Sequence, residues 1–311
     1  MSIEEIVRIY PHPNADTLEL AQVLGYQCVV AKDKYKANDK IIFIQPDYVL
    51  PDTLYFSEYK KYAPKRVRAI KIRKEWSEGI ILPLSDFDLT TETDIKEQLN
   101  IVKYTRDPEV TGLKERIPLP WHIPKTDEER WENMKSIPYG DIVDVTLKID
   151  GQSWSMFYKV DSQEFRVMSR SVVYNETDLN LYTEHLKRYP TLKQDFIDIC
   201  IKHNKSLCVR GESYGTGIQN LPHNRHCQMA HALKIFSVYD IDSHKYLGKG
   251  DPLYFKNLFP NMAIEILEEN VVLTREIIDK YSLSDFKYEG VVIKGKDYSF
   301  KVINKLYDSK K

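Results

Sequence analysis

The chain has 311 residues, enough for two domains with separate cores. Apolar residues make up 42%, the formal net charge is −1, and no apolar run reaches the length of a membrane span, so neither a membrane-embedded chain nor a globally basic nucleic-acid binder is expected. There is no signal-peptide pattern at the N-terminus, and Cys28, Cys200, Cys208 and Cys227 are scattered without a C-x-x-C pair, which suits free thiols in a reducing, cytoplasmic compartment and argues against a zinc site. His223 and His226 lie three apart in a Pro/Asn-rich stretch and read as loop residues.

Residues 1 to about 88 read as a small β domain. Short apolar runs at Gln27 to Ala31, Lys40 to Ile44, Arg66 to Arg73 and Gly79 to Leu82 are separated by turn-rich polar segments. Between Lys60 and Lys74 there are eight basic residues and no acidic one, with Tyr59 and Tyr62 at the start. Cations beside aromatics suit a surface that tracks phosphates and stacks bases, with Lys65, Arg66 and Arg68 at its centre; a solubilising surface strand has the same composition. The run His12-Pro13-Asn14-Ala15-Asp16-Thr17-Leu18-Glu19-Leu20-Ala21, followed by Asn38 to Ile44 and Val49-Leu50-Pro51, resembles an OB-fold module. Such modules are attached to tRNA synthetases and stand ahead of the catalytic domain in one group of RNA ligases; the resemblance implies binding of RNA.

Residues 89 to 120 read as a linker, with a short helix expected at Thr91 to Leu99 and regular structure disfavoured by Asp107-Pro108 and Ile117-Pro118-Leu119-Pro120. A second domain is expected over 121–311. It opens with a capping box, Thr126 and Glu129, which predicts a helix start. The surrounding Pro-x-Thr-Asp-Glu-x-Arg-x-x-Asn pattern, which includes Arg130, resembles the segment ahead of the nucleophile strand in the same RNA ligases; Glu132 stands where many relatives carry glutamine.

Ile142 to Gly151 is strand-like. Period-two alternation puts Val143, Val145, Leu147 and Ile149 on one face and Asp144, Thr146, Lys148 and Asp150 on the other. Lys148 and Asp150 thus project together, ahead of a glycine that admits close approach. A solvated ion pair at a strand end reads the same way as a lysine nucleophile whose pKa its surroundings control. A hairpin turning at Asp161-Ser162 follows, then amphipathic stretches at Thr177 to Arg188 and Leu192 to His203, a strand delivering Glu212, a weakly alternating Lys234 to Asp240, helical stretches over much of Asp251 to Ser282, and closing strands at Glu289 to Lys294 and Tyr298 to Ile303.

Six pieces stand in order: Lys148-Ile149-Asp150-Gly151, Ser169-Arg170-Ser171, Gly211-Glu212-Ser213-Tyr214-Gly215, Phe236 to Ile241, Glu289 to Lys294, and Ser299-Phe300-Lys301-Val302. The series resembles the motifs of covalent nucleotidyltransferases, the superfamily of polynucleotide ligases and mRNA capping enzymes, and with the OB-like front end it is most similar to ATP-dependent RNA ligases of family 5 type. The resemblance implies an α+β chain: an OB-like β-barrel, then an ATP-grasp-like adenylyltransferase domain of antiparallel sheets and flanking helices. It implies ATP, with AMP carried on Lys148, and Mg²⁺ or Mn²⁺ near Asp150, Glu212 and Glu289. It also places Lys301 on the α-phosphate, Arg170 on phosphate or sugar, and Phe236, with Tyr239 second, on adenine. RNA or an RNA-containing nicked duplex is the expected partner, with Arg130 and Lys305 adding contacts, and repair of 3′-OH/5′-phosphate breaks is the expected role. The residues carry no signal for an oligomeric state.

Alternatives are an ATP-dependent DNA ligase, a catalytically silent RNA-binding OB protein, and a capping guanylyltransferase. Only ten residues follow Lys301, which leaves no room for the C-terminal OB domain of capping enzymes and most DNA ligases. Retained Lys148, Glu212, Glu289 and Lys301 argue against a silent protein. Two further expectations concern faces. Glu289 and Lys294, five apart, should point to opposite sides of a regular strand, leaving Lys294 peripheral. Relatives place two lysines two apart in the last strand; here Ile303 stands at the second position, and Lys305 keeps the right parity if the strand continues.

Overall fold

A computed structural model of the chain describes residues 1–87, 98–104, 117–120, 122–125, 127–283 and 287–310. Most of the helix expected at Thr91 to Leu99, the Asp107-Pro108 break and Thr126 of the capping box lie outside the described residues. Two compact units are formed: Met1–Asp107 with Trp131–Ile137, and Pro108–Arg130 with Pro138–Lys311.

The first unit is built on β1 (Ser2–Pro11), β2 (Leu18–Val23), β3 (Tyr26–Ala31), β4 (Lys40–Ile44), β5 (Tyr48–Val49), β6 (Ile70–Ile72), β7 (Glu75–Ser77), β8 (Ile80–Pro83) and β9 (Val102–Lys103). Its main sheet runs β3-β2-β1-β4-β8, antiparallel throughout. Residues Ser2 to Glu5 of β1 pair with β4, while Ile6 to Pro11 pair with β2 across a register shift between Ile6 and Arg8. A bulge of this kind bends a strand and raises its twist, so one strand serves two sides of a curling sheet. The same bulge breaks the alternation along β1, so β1 carries no regular apolar pattern in the sequence.

The four apolar residues after Lys40 are buried on both faces of β4. Ile41 and Phe43 join one core with Ile6, Val23, Tyr26 and Ile81; Ile42 and Ile44 join another with Leu50, Phe56, Val67 and Leu82. Of the expected strand at Arg66 to Arg73 only β6 forms; Val67 instead donates its N–H to Tyr48 O and accepts at its carbonyl from Asp47 N–H. Trp131–Asn133 is a 3-10 turn of this unit rather than the helix expected there: Gly25 N–H donates to Glu132 O at 3.0 Å and Tyr26 Oη to Asn133 Oδ1 at 2.8 Å.

The second unit adds β10 (Ile117–Pro118), β11 (Glu129–Arg130), β12 (Ile142–Lys148), β13 (Gln152–Lys159), β14 (Glu164–Met168), β15 (Val172–Tyr174), β16 (Leu207–Tyr214), β17 (Ala232–Asp240), β18 (Lys245–Tyr246), β19 (Ile266–Val272), β20 (Gly290–Lys294) and β21 (Ser299–Ile303). They form a seven-stranded sheet, β10-β15-β14-β13-β16-β17-β18, and a five-stranded one, β11-β21-β20-β12-β19. Leu147, Ile149, Trp154, Met156, Val209 and Ile235 lie in one large core. The helix Leu181–Arg188 is capped by Asn180, whose side chain accepts from Tyr182 and Thr183 N–H; Leu192–His203 ends on Asn204 in the left-handed region. The stretch from Asp251 to Ser282 departs from expectation. Only Phe255–Leu258 is helical in its first part, and Ile266–Val272 is β19, edging β12.

Candidate active site

β12 sits between β20 and β19, and its register opposes Lys148 to Gly290. That register brings Glu289 beside Lys148, whose Nζ donates to Glu289 Oε2 at 2.5 Å. The pair is not solvated: the two side chains are 24% and 11% exposed. Nor is the polar face of β12 a water face, since Asp144, Thr146 and Asp150 are all buried. Asp144 is held by Lys249 and by the N–H of Asn270.

After Asp150 the chain passes under β16. A Cβ at Gly151 would lie 2.4 Å from Ser213 O and 2.9 Å from Glu212 Cγ, so only glycine permits this approach. The same approach lets Gly151 N–H donate to Glu212 Oε1 at 3.1 Å. Burial alone would lower the pKa of the Lys148 ammonium, but Glu289, Glu212 and Asp150 outweigh it and hold it above the ordinary lysine value. Burial pushes the Glu212 carboxyl up to about 8; Lys148 opposes the rise, and Glu289 and Asp150 add to it.

Asp150 is fixed from two sides. Tyr307 Oη donates to Asp150 Oδ2 at 3.1 Å, and Asn224 Nδ2 donates to the Asp150 carbonyl at 2.9 Å. Tyr307 comes from the helical turn Lys305–Asp308, capped by Asn304. The last strand therefore stops at Ile303 and does not carry Lys305 onward: the parity argument for Lys305 fails because Asn304 turns the backbone. His223 packs edge-on against Tyr307, and His226 against Tyr214 and Tyr288, so both histidines shoulder this corner.

A shallow, solvent-open cleft is lined by Glu128, Thr146, Lys148, Glu212, Phe236 and Val292 among others. Phe236 faces it; Tyr239 does not, and packs instead with Ile123, Phe157 and Cys208 on another face. Lys294 is not peripheral. It is buried, and its Nζ lies 5.7 Å from the centre of the Phe236 ring and 5.6 Å from that of Phe255. Opposite faces for Glu289 and Lys294 need a regular strand from Glu289, but the strand begins at Gly290, which has φ +153° and where a Cβ would lie 2.1 Å from Val302 O. Alternation is broken at Gly290, so Glu289 and Lys294 both reach the cleft side. Burial lowers the Lys294 pKa, with Glu128 and Asp144 opposing.

Lys301 and Arg170 converge on one carboxylate. Asp127 Oδ1 accepts from Lys301 Nζ at 2.8 Å, and Asp127 Oδ2 from Arg170 Nη2 at 3.1 Å. Asp127, Glu128 and Lys294 are members of this corner to which the sequence alone assigns no role; their signal is that Asp127 and Glu128 are the Asp-Glu of the Pro-x-Thr-Asp-Glu run and Lys294 closes the piece that Glu289 opens. Arg130, opposite Lys301 in the parallel β11–β21 pair, lies 3.9 Å from Asp308. Lys65, Arg66 and Arg68 belong to the first unit. Arg66 is occupied there, 3.5 Å from Asp47 and stacked on Tyr104.

Among the described residues no group of three or more His, Cys, Asp and Glu side chains forms a ready metal cage. Asp150, Glu212 and Glu289 are hard oxygen donors around an ammonium. That set fits a magnesium-like ion that keeps waters and leans on substrate phosphates, not an all-protein site.

The first unit is an OB-fold domain, matched over residues 1–84 by a family model of that fold, and the second is a ligase nucleotidyltransferase domain. An RNA ligase family model matches residues 141–305, more than half of the chain, and the chain belongs to the RNA ligase family. Among solved structures, Naegleria gruberi RNA ligase in a mutant form with AMP and Mn is 25% identical, over 100% of this chain and 98% of that one, with TM-score 0.80. The same enzyme with PPi is 25% identical over 98% and 96%, TM-score 0.80, and another mutant with ATP and Mn is 26% identical over 98% and 97%, TM-score 0.79. No curated protein matches.

Proposed function

We propose that the protein is an ATP-dependent RNA ligase that joins 3′-OH to 5′-phosphate ends through a lysyl-AMP and an RNA-adenylate, in repair of RNA-containing strands inside the cell. The observation that carries this is Lys148, set among Glu289, Glu212 and Asp150 at the mouth of a cleft with an aromatic wall, Phe236. In the first step Lys148 Nζ loses a proton to solvent and the neutral amine attacks the α-phosphorus of ATP; an N–P bond forms, the bond to the β-phosphate oxygen breaks, and pyrophosphate leaves. In the second, an oxygen of the 5′-phosphate attacks the same phosphorus and Lys148 departs, regaining a proton. In the third, the 3′-hydroxyl oxygen attacks the 5′-phosphorus, its proton passes to solvent, the bond from that phosphorus to the bridging oxygen breaks, and AMP leaves.

Each step is an in-line phosphoryl displacement, so positioning and charge stabilisation are the protein's tools. Phe236 stacks the base, and Lys301 and Arg170 exchange Asp127 for phosphate. Glu289 keeps the resting ammonium oriented, and Asp150 is aimed by Tyr307. Asp150, Glu212 and Glu289 would hold a divalent cation through water, where it would offset phosphate charge and favour the neutral amine. Intact mass after incubation with ATP, GTP or NAD and Mg²⁺ or Mn²⁺ tests the reading. AMP added from ATP alone, and lost in Lys148→Ala while a pre-adenylated strand is still sealed, is the expected result; normal labelling of Lys148→Ala overturns it.

A further inference from the structure

Within the OB-fold unit, β6 and β7 form a hairpin closed by a two-residue turn, Arg73-Lys74. Both turn residues have positive φ, 50° and 78°. That is the turn type in which Asn-Gly and its like prevail, because side chains resist the left-handed region at both positions. Here the two longest cations stand where the backbone favours the two smallest turn formers. An outlier that the local physics opposes points to a use for the side chains themselves.

The rest of the hairpin agrees. Lys71 lies across from Trp76, its Nζ 4.9 Å from the indole centre, so the ring holds the ammonium in place. Lys65, Arg68, Lys71, Arg73 and Lys74 make no ion pair among the described residues, whereas Lys60, Lys61 and Arg66 of the same basic run are engaged by Asp52, Glu58 and Asp47. Glu75 is the sole acid of the hairpin. Its base is firmly anchored. Gln27 Nε2 donates to Trp76 O at 2.9 Å, and Val29 N–H donates to Ser77 Oγ at 3.1 Å. The buried His12 accepts Asn14 N–H on Nδ1, so its proton sits on Nε2, which donates to Ile72 O at 3.2 Å. A rigid base therefore carries an exposed, unneutralised cationic tip.

We propose that the Ile70–Ser77 hairpin is a phosphate-gripping finger for the RNA substrate, with Arg73 and Lys74 at its tip as the principal contacts and Lys71 behind them; this rests on the reading of the chain as an RNA ligase. The occupant is the phosphate backbone of a nucleic acid, because what the tip presents is exposed positive charge that no acid in the described residues pairs. The test uses the full chain and a labelled nicked RNA duplex with a 5′-phosphate at the nick, titrated over a range of salt. Arg73→Asn combined with Lys74→Gly installs the favoured turn, so its melting temperature should hold or rise. Its affinity should nonetheless fall about tenfold, and the log–log salt slope should become shallower by about 2, for two lost phosphate contacts. Arg73→Lys combined with Lys74→Arg keeps the charges and should retain the affinity. Unchanged affinity and slope in the Asn-Gly variant, or equal loss in both variants, overturns the proposal. Failure of the wild-type protein to take AMP from ATP would sink the ligase reading separately, while the titration would still judge the hairpin.

Discussion

Tyr307 shows how a residue outside every recognised motif sets the geometry of one inside. Its hydroxyl is the hydrogen-bond donor to Asp150 Oδ2, and burial with the Asp150 charge raises the tyrosine pKa well above its ordinary value, so it stays a donor throughout the working range. Tyr307→Phe should cost about 1–2 kcal/mol of stability and slow lysyl-AMP formation while leaving the Lys148–Glu289 pair intact; single-turnover AMP uptake beside urea unfolding reads both. Asp127 belongs at the same scale. It holds Lys301 and Arg170 in the resting protein, so Lys301→Ala should reduce AMP uptake on the order of 100-fold. Lys305→Ala should be milder in AMP uptake, because Lys305 enters a helical turn instead of continuing the strand. Equal, severe losses in both lysine variants would show that Lys305 reaches the phosphates from that turn.

Two elements carry constraints beyond the site. β20 begins at Gly290, and Gly290→Ala would drive a Cβ into Val302 O of β21 at a φ that L residues avoid. The expected cost is more than about 3 kcal/mol, with AMP uptake lost because Glu289 is displaced; a melting temperature within a degree of wild type would refute the account. The helix Leu181–Arg188 delivers His185, buried, with Nε2 at 2.8 Å from Ser213 Oγ and Nδ1 without a partner among the described residues. Burial, helped by Arg188, lowers its pKa to about 4 from 6.5. The folded state thus binds this proton less readily than the unfolded one. The stability from keeping His185 neutral is complete above about pH 6.5 and lost as pH falls toward 4, roughly 3 kcal/mol in all. His185→Gln should flatten the fall in the urea midpoint between pH 7 and pH 4.5; an unchanged slope would show that His185 does not carry it.

At the scale of the whole molecule, the return of Trp131–Ile137 to the first unit changes how the domains can be separated. Within it Trp131 is buried, Glu132 O accepts from Gly25 N–H, and Asn133 Oδ1 accepts from Tyr26 Oη. Removing residues 1–104 strips those partners from the segment that carries Trp131, so the shortened chain should be less soluble unless Trp131→Ser accompanies the deletion. In that background lysyl-AMP formation should persist, since Lys148, Glu212, Phe236, Glu289 and Lys301 all lie in the second unit, and sealing of a nicked duplex should drop at least about tenfold. Sealing at the full rate would show that the OB-fold domain does not hold the substrate.

Period-two alternation around Lys148 was legible in the chain alone, as were the motif order, the hairpin at Asp161-Ser162 and the helix at Leu192 to His203, because each depends on near neighbours and local propensity. The OB-like front end and the ligase motifs were legible for the same reason: short runs with fixed spacing. Partnership was not. The Ile266–Val272 stretch reads as helix in the sequence because its exposed edge position leaves little alternation, and only pairing with β12 makes it a strand. Lys294 was misplaced because the parity rule needs regular backbone, and Gly290 suspends it through contact with β21. Tyr239 went to the core, Asp127 to Lys301 and Arg170, and Tyr307 to Asp150 by contacts between residues far apart in the chain. Local residue order determines which side chains a strand or turn presents; what each one meets, and hence its charge state and task, is decided only when distant strands close the space around it.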